Sequence, residues 1–421
     1  MSAGVVLAGA FDTKGDEYGF VRDRLAAAGV RSLLIDTGVL GTPTIAADVD
    51  RRSVARAAGE DVEALAASGD RNAAMIAMGR GAAQVVRELH DNGDVAGLIV
   101  LGGSNAGFVM SQIAPVLPIG CPKILVSTIV SGDTRPYVGT SDLTMIYPIV
   151  DIAGLNSISI PVLAKAADAC IGMVHGASLP SLPAARAIGC TMFGVTTQCV
   201  TAVRDALVAG GDEVHIFHAT GTGGRALEAM IRSGAFAAVA DVTTTELADE
   251  LLGGVCSAGP DRLEAAAASG VPQVVSVGAL DMANFGAIET VPERFAGRLM
   301  HAHNPAVTLM RTNTDECTEL GAIIAGKLNA ATGPVEVVVP ARGFSQISTE
   351  GAPFYDPDAD AALIRSLQMN LSQRIPLRIV DAAINDPEFA QEVIAALGRV
   401  LDAGDGKHTT NPGANNIRST E

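Results

Sequence analysis

The chain has 421 residues, a formal net charge of −17 and no tryptophan; 48% of its residues are hydrophobic and 18% charged. So acidic a molecule repels a phosphate backbone, which argues against nucleic acid as a partner. A nucleotide site is not excluded, because backbone N–H groups and helix N-termini hold phosphate without adding net charge.

In chain order, apolar runs of strand length alternate with helix-like segments. The first half reads strand Val5–Ala10, helix Glu17–Ala28, strand Ser32–Ile35, then helical sequence from Arg51 to His90. Strand Ala96–Leu101, a glycine turn, helix Phe108–Ala114 and strand Lys123–Ser127 follow. The second half gives strand Thr191–Val195 with helix Val200–Leu207, strand Val214–His218 with helix Arg225–Arg232, and strand Ala237–Val242 with Thr244–Leu252. Strand Gln273–Val277 leads to Gly278–Asp281, and two pairs close the order: Glu336–Pro340 with Asp358–Leu367, and Leu377–Val380 with Pro387–Leu401. This alternation predicts an α/β protein of two Rossmann-like lobes, with mostly parallel sheets covered by helices.

The expected lobes are residues 1–184 and 185–403, with a disordered Gly- and Asn-rich tail at 404–421; Pro180 and Pro183 interrupt the pattern at the boundary. Local matches point to duplication, Val21–Leu25 resembling Val203–Leu207 and Pro122–Ser127 resembling Pro272–Val277. A cleft where the carboxyl ends of the two sets of strands meet is the expected ligand site. The run Gly4–Phe11 reads as a first strand rather than a signal peptide, and no run approaches the roughly 20 apolar residues of a membrane helix. Six scattered cysteines without a CxxC pair read as reduced core residues, so a cytoplasmic, metal-thiolate-free protein is expected.

Four strand-to-helix turns and one extended segment carry candidate chemistry. Asp12, Thr13 and Lys14 close the first strand; Asp and Thr can cap backbone donors and Lys can reach an anion, although a capped turn with a surface lysine explains them equally. Gly102, Gly103 and Ser104 follow an apolar strand without the Walker lysine or a true GxGxxG; bare N–H groups there favour phosphate, or the glycines serve only a tight turn. Thr220, Gly221, Thr222, Gly223, Gly224 and Arg225 hold more Gly and Thr than a simple turn needs, and Arg225 can neutralise phosphate. Thr243, Thr244, Thr245 and Glu246 resemble a capping box, which explains much of the run, and at the turn of the next strand they are also expected to line the cleft. The spacing does not choose between the two Gly-rich turns for the phosphates. Asp12 and Asp241 are candidate Mg²⁺ ligands. His301 and His303 point to one side of an extended segment; with Asp281 and Arg311 they form the catalytic candidates of a second reading, an enzyme acting on a sugar acid or other carboxylate. The stretch Ser131–Asn156 is a long connection too apolar for disorder.

These residues together resemble the ATP-binding-domain family related to the N-terminal half of a plant tobamovirus-resistance protein. The resemblance runs from about Gly9 to Phe389 on FDTKGDE (11–17), LGGS (101–104), PKILVST (122–128), YVGTSD (137–142), VDIAGLN (150–156), FHATGTGG (217–224), DVTTTELAD (241–249), GALDMANFG (278–286), HNPAVTLMRT (303–312) and PFYDPDAD (353–360). It implies a two-subdomain Rossmann-like fold that binds ATP with magnesium and forms a homodimer or higher homo-oligomer. Gln198, Asn105, Phe108, Ala283 and Ser348 depart from the family's usual residues. The family label speaks of binding and implies no reaction.

Overall fold

A computed structural model describes residues 3–176 and 185–408 and divides into two compact units, Met1–Ser181 and Leu182–Glu421. Most of the expected boundary, and the tail beyond His408, lie outside the described residues.

The N-terminal unit runs β1 (Gly4–Gly9), α1 (Phe11–Ala27), β2 (Ser32–Asp36), α2 (Arg51–Ala57), α3 (Val62–Ser68), α4 (Arg71–Asp91), β3 (Val95–Gly102), α5 (Ser104–Ile113), β4 (Lys123–Ser127), α6 (Arg135–Val138), β5 (Thr144–Ile146) and α7 (Ser159–Val174). Its five strands are all parallel, in the order β2-β1-β3-β4-β5. Every residue of β1 is buried, because helices cover both faces of the sheet, and that is why the strand reads as an unbroken apolar run. Aspartates start three successive helices: Asp50, Asp61 and Asp70 each accept a backbone N–H of the first turn. Helix α1 begins six residues earlier than its sequence predicts and is kinked at Lys14 (φ −131°). Asp36, at the end of β2, draws it in by accepting the Phe11 N–H at 3.1 Å.

The C-terminal unit continues with β6 (Ala187–Met192), α8 (Thr197–Ala209), β7 (Glu213–His218), α9 (Thr222–Arg232), β8 (Ala238–Thr243), α10 (Glu246–Leu252), α11 (Ala265–Ser269), β9 (Gln273–Gly278), β10 (Met282–Phe285), β11 (Met300–Asn304), β12 (Val307–Arg311), α12 (Thr314–Asn329), β13 (Val335–Pro340), α13 (Pro357–Asn370), β14 (Leu377–Val380) and α14 (Pro387–His408). Six of these strands form a parallel sheet, β14-β13-β9-β8-β6-β7. In both units the second strand lies outside the first and the third, fourth and fifth follow on its other side. The paired sequence matches fall on equivalent elements, α1 with α8 and β4 with β9.

Two features have no counterpart in the sequence expectations. Strand β5 is only three residues long and half-buried, too short to carry a pattern. The antiparallel ribbon β10-β12-β11 inserts between β9 and α12; β11 and β12 form a hairpin about Pro305–Ala306. Strand β6 also begins four residues before the predicted one. No helix among the described residues is long and apolar enough to cross a membrane.

Candidate functional site

An open parallel sheet leaves a crevice at the carboxyl ends of the two strands whose connections leave in opposite directions. In the N-terminal unit these are β1 and β3. Ala8 is in register with Val100, so the turns after Gly9 and Gly102 lie side by side. The structure therefore brings together Asp12, Thr13 and Lys14 with Gly102, Gly103 and Ser104. Tyr18 forms the floor. Its hydroxyl donates to the Ala8 carbonyl (2.6 Å) and accepts the Leu101 N–H (2.8 Å), inserting where the ladder would continue. A Cβ at Gly9 would lie 2.1 Å from that hydroxyl, so Gly9 is required by Tyr18. Burial pushes the Tyr18 phenol well above its usual range, and it stays a neutral donor.

The wall on the β3 side is the start of α5. Gly102 has φ +143°, a conformation that favours glycine. Gly103, the N-cap, offers no side chain, and a Cβ there would meet nothing within 4 Å. Ser104 and Asn105 are exposed. The first N–H groups of any helix lack intrahelical partners, and no side chain caps these. The Gly103 carbonyl is fixed by the Ser127 hydroxyl at 3.0 Å, so the turn is held open by its neighbour on β4.

The opposite wall is the first turn of α1. Lys14 donates to the Ile152 carbonyl, and Glu17 accepts the Gly154 N–H at 2.7 Å. Both fasten the segment before α7 to the rim. The rest of the connection Ser131–Asn156 is ordered: Asp142 pairs with buried Lys123 at 2.5 Å, Asp133 with exposed Arg135, and Asn156 accepts the Ile158 and Ser159 N–H groups. Asp12 accepts the Gly41 N–H at 2.8 Å, while its Oδ1 is buried without a partner.

The second Gly-rich turn has the opposite character. Two of its amides are taken by the chain itself: Gly221 N–H and Gly224 N–H both donate to Glu246 Oε1, at 2.7 and 3.0 Å. A Cβ at Gly224 would stand 2.0 Å from Glu246 Oε2, and one at Gly223 would stand 1.9 Å from the His218 carbonyl. These glycines are therefore needed for close packing. Glu246 Oε2 accepts Arg262 Nε at 2.7 Å, and Arg262 binds Asp241 with both terminal nitrogens, at 2.6 and 2.7 Å. Arg262 is fully buried, and Glu228 Oε1 lies 3.4 Å from it. Desolvation raises the Glu228 carboxyl above its usual range. The other residues join this structural network. Thr191 donates to Asp241, the Thr243 and Thr196 hydroxyls lie 2.8 Å apart, Thr244 donates to the Ser276 carbonyl, and Thr245 lies 3.4 Å from the Asn284 amide nitrogen. Arg225 donates to the Ser257 carbonyl, and exposed Thr220 lies against the His218 carbonyl.

Of the catalytic candidates, Arg311 and Asp281 lie together, with Arg311 Nη1 3.4 Å from the Asp281 carbonyl, and His301 packs on the nearby Phe354. Arg311 is spent on the Phe354, Thr312 and Asp356 carbonyls and on Asp360 at 2.5 Å. Asp281 is fully buried, accepts the Ser345 hydroxyl at 2.7 Å, and is pushed up to about 6 by desolvation. His301 meets the Phe354 ring edge at 6.2 Å between centroids, and His303 is exposed beyond it.

Sequence reasoning missed Tyr18, Asp36, Arg51 and Arg262. An acidic residue at the end of the second strand is a known Rossmann position, so Asp36 was findable. Nothing local marks Arg262, one charged residue in a loop.

Residues 3–178 match the uncharacterised protein family UPF0261 N-terminal domain, and residues 185–401 match its C-terminal domain. A UPF0261 protein of Clostridium tetani is 45% identical over 392 residues, covering 93% of this chain and 97% of that protein. A UPF0261 protein of Rhizobium meliloti is 44% identical over 396 residues, 93% of this chain and 98% of that one. The ToMV resistance protein Tm-1(GCR237) of Solanum lycopersicum is 44% identical over 312 residues, 72% of this chain and 41% of the tomato protein. The chain belongs to the UPF0261 family and carries both of its domains.

Proposed function

We propose that the N-terminal unit binds a nucleotide, ATP in the first instance, with its phosphates on the free amides at the start of α5. The observation that carries this reading is the contrast between the two Gly-rich turns. One has its Gly221 and Gly224 amides filled by Glu246 and every glycine pressed against a neighbour. The other has an uncapped helix start, an open Gly103 and exposed Ser104 and Asn105 beside the β1 turn. Uncapped amides with the helix dipole behind them are a ready anion site. Lys14 adds charge at the rim, since an ammonium has three donors and the Ile152 carbonyl uses one.

Magnesium fits the protein side chains poorly. Arg262 stands on both oxygens of Asp241, where a cation would have to sit. Asp12 has Arg51 within 3.8 Å. Among the described residues no three His, Cys, Asp or Glu side chains converge as a metal site. The ion would therefore arrive on the phosphates with its waters, as Mg²⁺ commonly does.

Calorimetry with MgATP tests the reading. The wild type should give saturable heat at about millimolar ligand or below, with a matching rise in thermal stability. Gly103→Val should weaken binding by about tenfold or more while leaving the unliganded unfolding temperature in place, because the new side chain enters open space. Absence of heat and of stabilisation, or a Gly103→Val variant that binds normally, would refute it.

A further inference from the structure

Strand β13 reads Val-Glu-Val-Val-Val-Pro and is buried along its whole length, so Glu336 is a charge set into an apolar strand. Its side chain is 4% exposed. Burying a carboxylate is costly, and an apolar residue of similar volume would serve the fold as well. What Glu336 does is hold two guanidiniums in place. Arg399 of α14 grips it as a fork, with Nε on Oε2 at 3.0 Å and Nη2 on Oε1 at 2.7 Å, and Arg378 of β14 donates to it from Nε. The three residues share one face of the sheet. Arg378 is in register with Val338, two residues beyond Glu336, and Val338 packs in the same core as Leu397 of α14.

Glu336, Arg378 and Arg399 line a surface cavity of about 420 Å³ at the amino ends of β13 and β14. Arg374, in the turn before β14, is its third cation. Its terminal nitrogens lie on the Asn329 and Ala331 carbonyls at the end of α12, and it has no carboxylate partner among the described residues. The rest of the lining carries no polar side chain; Ile375, Pro376 and Val400 form its apolar wall. Outside the lining, Glu392 accepts Arg399 Nη2 at 2.6 Å. Two carboxylates thus stand against three guanidiniums, a local surplus of one positive charge in a chain of net charge −17. Donors are in surplus as well. Arg378 bonds through Nε alone, and Arg399 Nη1 makes no hydrogen bond among the described residues. Fixed guanidinium edges with free N–H groups suit the paired oxygens of a carboxylate or a phosphate, and the volume falls in the range of small-ligand sites.

We propose that this cavity is an oxyanion site of the C-terminal unit, taking a small organic carboxylate or phosphate monoester. Its headgroup lies on the arginines and its body on the apolar wall. The cavity opens at the amino edge of the sheet, opposite the edge where α/β proteins commonly bind ligands. It belongs to the unit that does not contain α5, and it stands independently of the nucleotide reading.

The test is amide chemical-shift mapping of the full chain titrated with inorganic phosphate and with succinate, at an ionic strength held constant with sodium chloride. Saturable shifts are expected at Val335, Ile375 and Arg378 with at least one of the two anions, and which one assigns the headgroup. Arg378→Gln alters a side chain 47% exposed on an edge strand and leaves Arg399 on Glu336; it should weaken that binding by about tenfold. Glu392→Gln removes a competing carboxylate and should tighten binding by about threefold, a gain that a merely structural ion cluster would not give. Absence of saturable shifts at these residues with both anions, shifts confined to Gly103–Asn105, or an affinity unchanged in either variant would each overturn the proposal.

Discussion

Arg262 is the buried counter-ion at the centre of a carboxylate cluster, so its removal should be among the most damaging single changes in the C-terminal unit. Its guanidinium bonds Asp241 twice and Glu246 once, with Glu228 at 3.4 Å, and every member of the group is at most 4% exposed. Arg262→Met keeps much of the volume but takes the cation from the buried Asp241 and Glu246 carboxylates, while Glu228 keeps Arg232 at 3.8 Å. Removing one partner of a buried ion pair costs about 3–5 kcal/mol. For a unit of this size each kcal/mol shifts the midpoint by about 2–4 °C, so a fall of about 6–20 °C is expected. The penalty has a sign in pH. Desolvation already holds the Glu228 carboxyl above its usual range, so protonation at low pH relieves part of the deficit and rising pH deepens it. With no tryptophan to report unfolding, far-UV circular dichroism is the suitable probe. A variant within about 0.5 kcal/mol of wild type at neutral pH would refute the claim that this network closes the Gly221–Gly224 turn.

Three further outcomes follow from the same geometry. Gly224→Ala should destabilise by about 1–3 kcal/mol, because its methyl falls on Glu246, whereas Gly103→Ala should be near neutral; equal effects in thermal melts would contradict the assignment of one turn as closed and the other as open. Burial pushes Asp249 up to about 7, so its neutral form belongs to the fold; the stability it contributes is complete below about pH 4 and lost as pH rises to about 7. Asp249→Asn should flatten that slope by up to about 1.4 kcal/mol per pH unit, and an unchanged slope would show that Asp249 is ionised throughout. Lys14→Met should loosen the segment around Ile152, seen as faster amide exchange there, and should weaken MgATP more than adenosine.

The alternation of buried strands and helices was legible because helices cover the inner strands on both faces, so strands such as β1 and β3 are nearly continuous apolar runs bounded by turn residues. The duplicated order was legible for the same reason: α1 and α8, and β4 and β9, keep similar sequences in equivalent places. The ribbon was not, because β11 is half exposed and its Met-His-Ala-His-Asn sequence lacks a core-facing period. The two Gly-rich turns could not be told apart from their own residues. What distinguishes them is Glu246, which reads locally as part of a capping box for α10 but reaches back to the start of α9, and Arg262, which balances it from a loop. In the same way, Lys14 looks like a free phosphate ligand in sequence and proves to be tied to a carbonyl 138 residues away.

The most direct measurement is amide chemical-shift mapping of the ¹⁵N-labelled protein titrated with tripolyphosphate and with MgATP. The account predicts that Gly103, Ser104 and Asn105 move together on addition of either ligand while Gly221–Gly224 stay still. Movement confined to the second turn, with the first unperturbed, would contradict it.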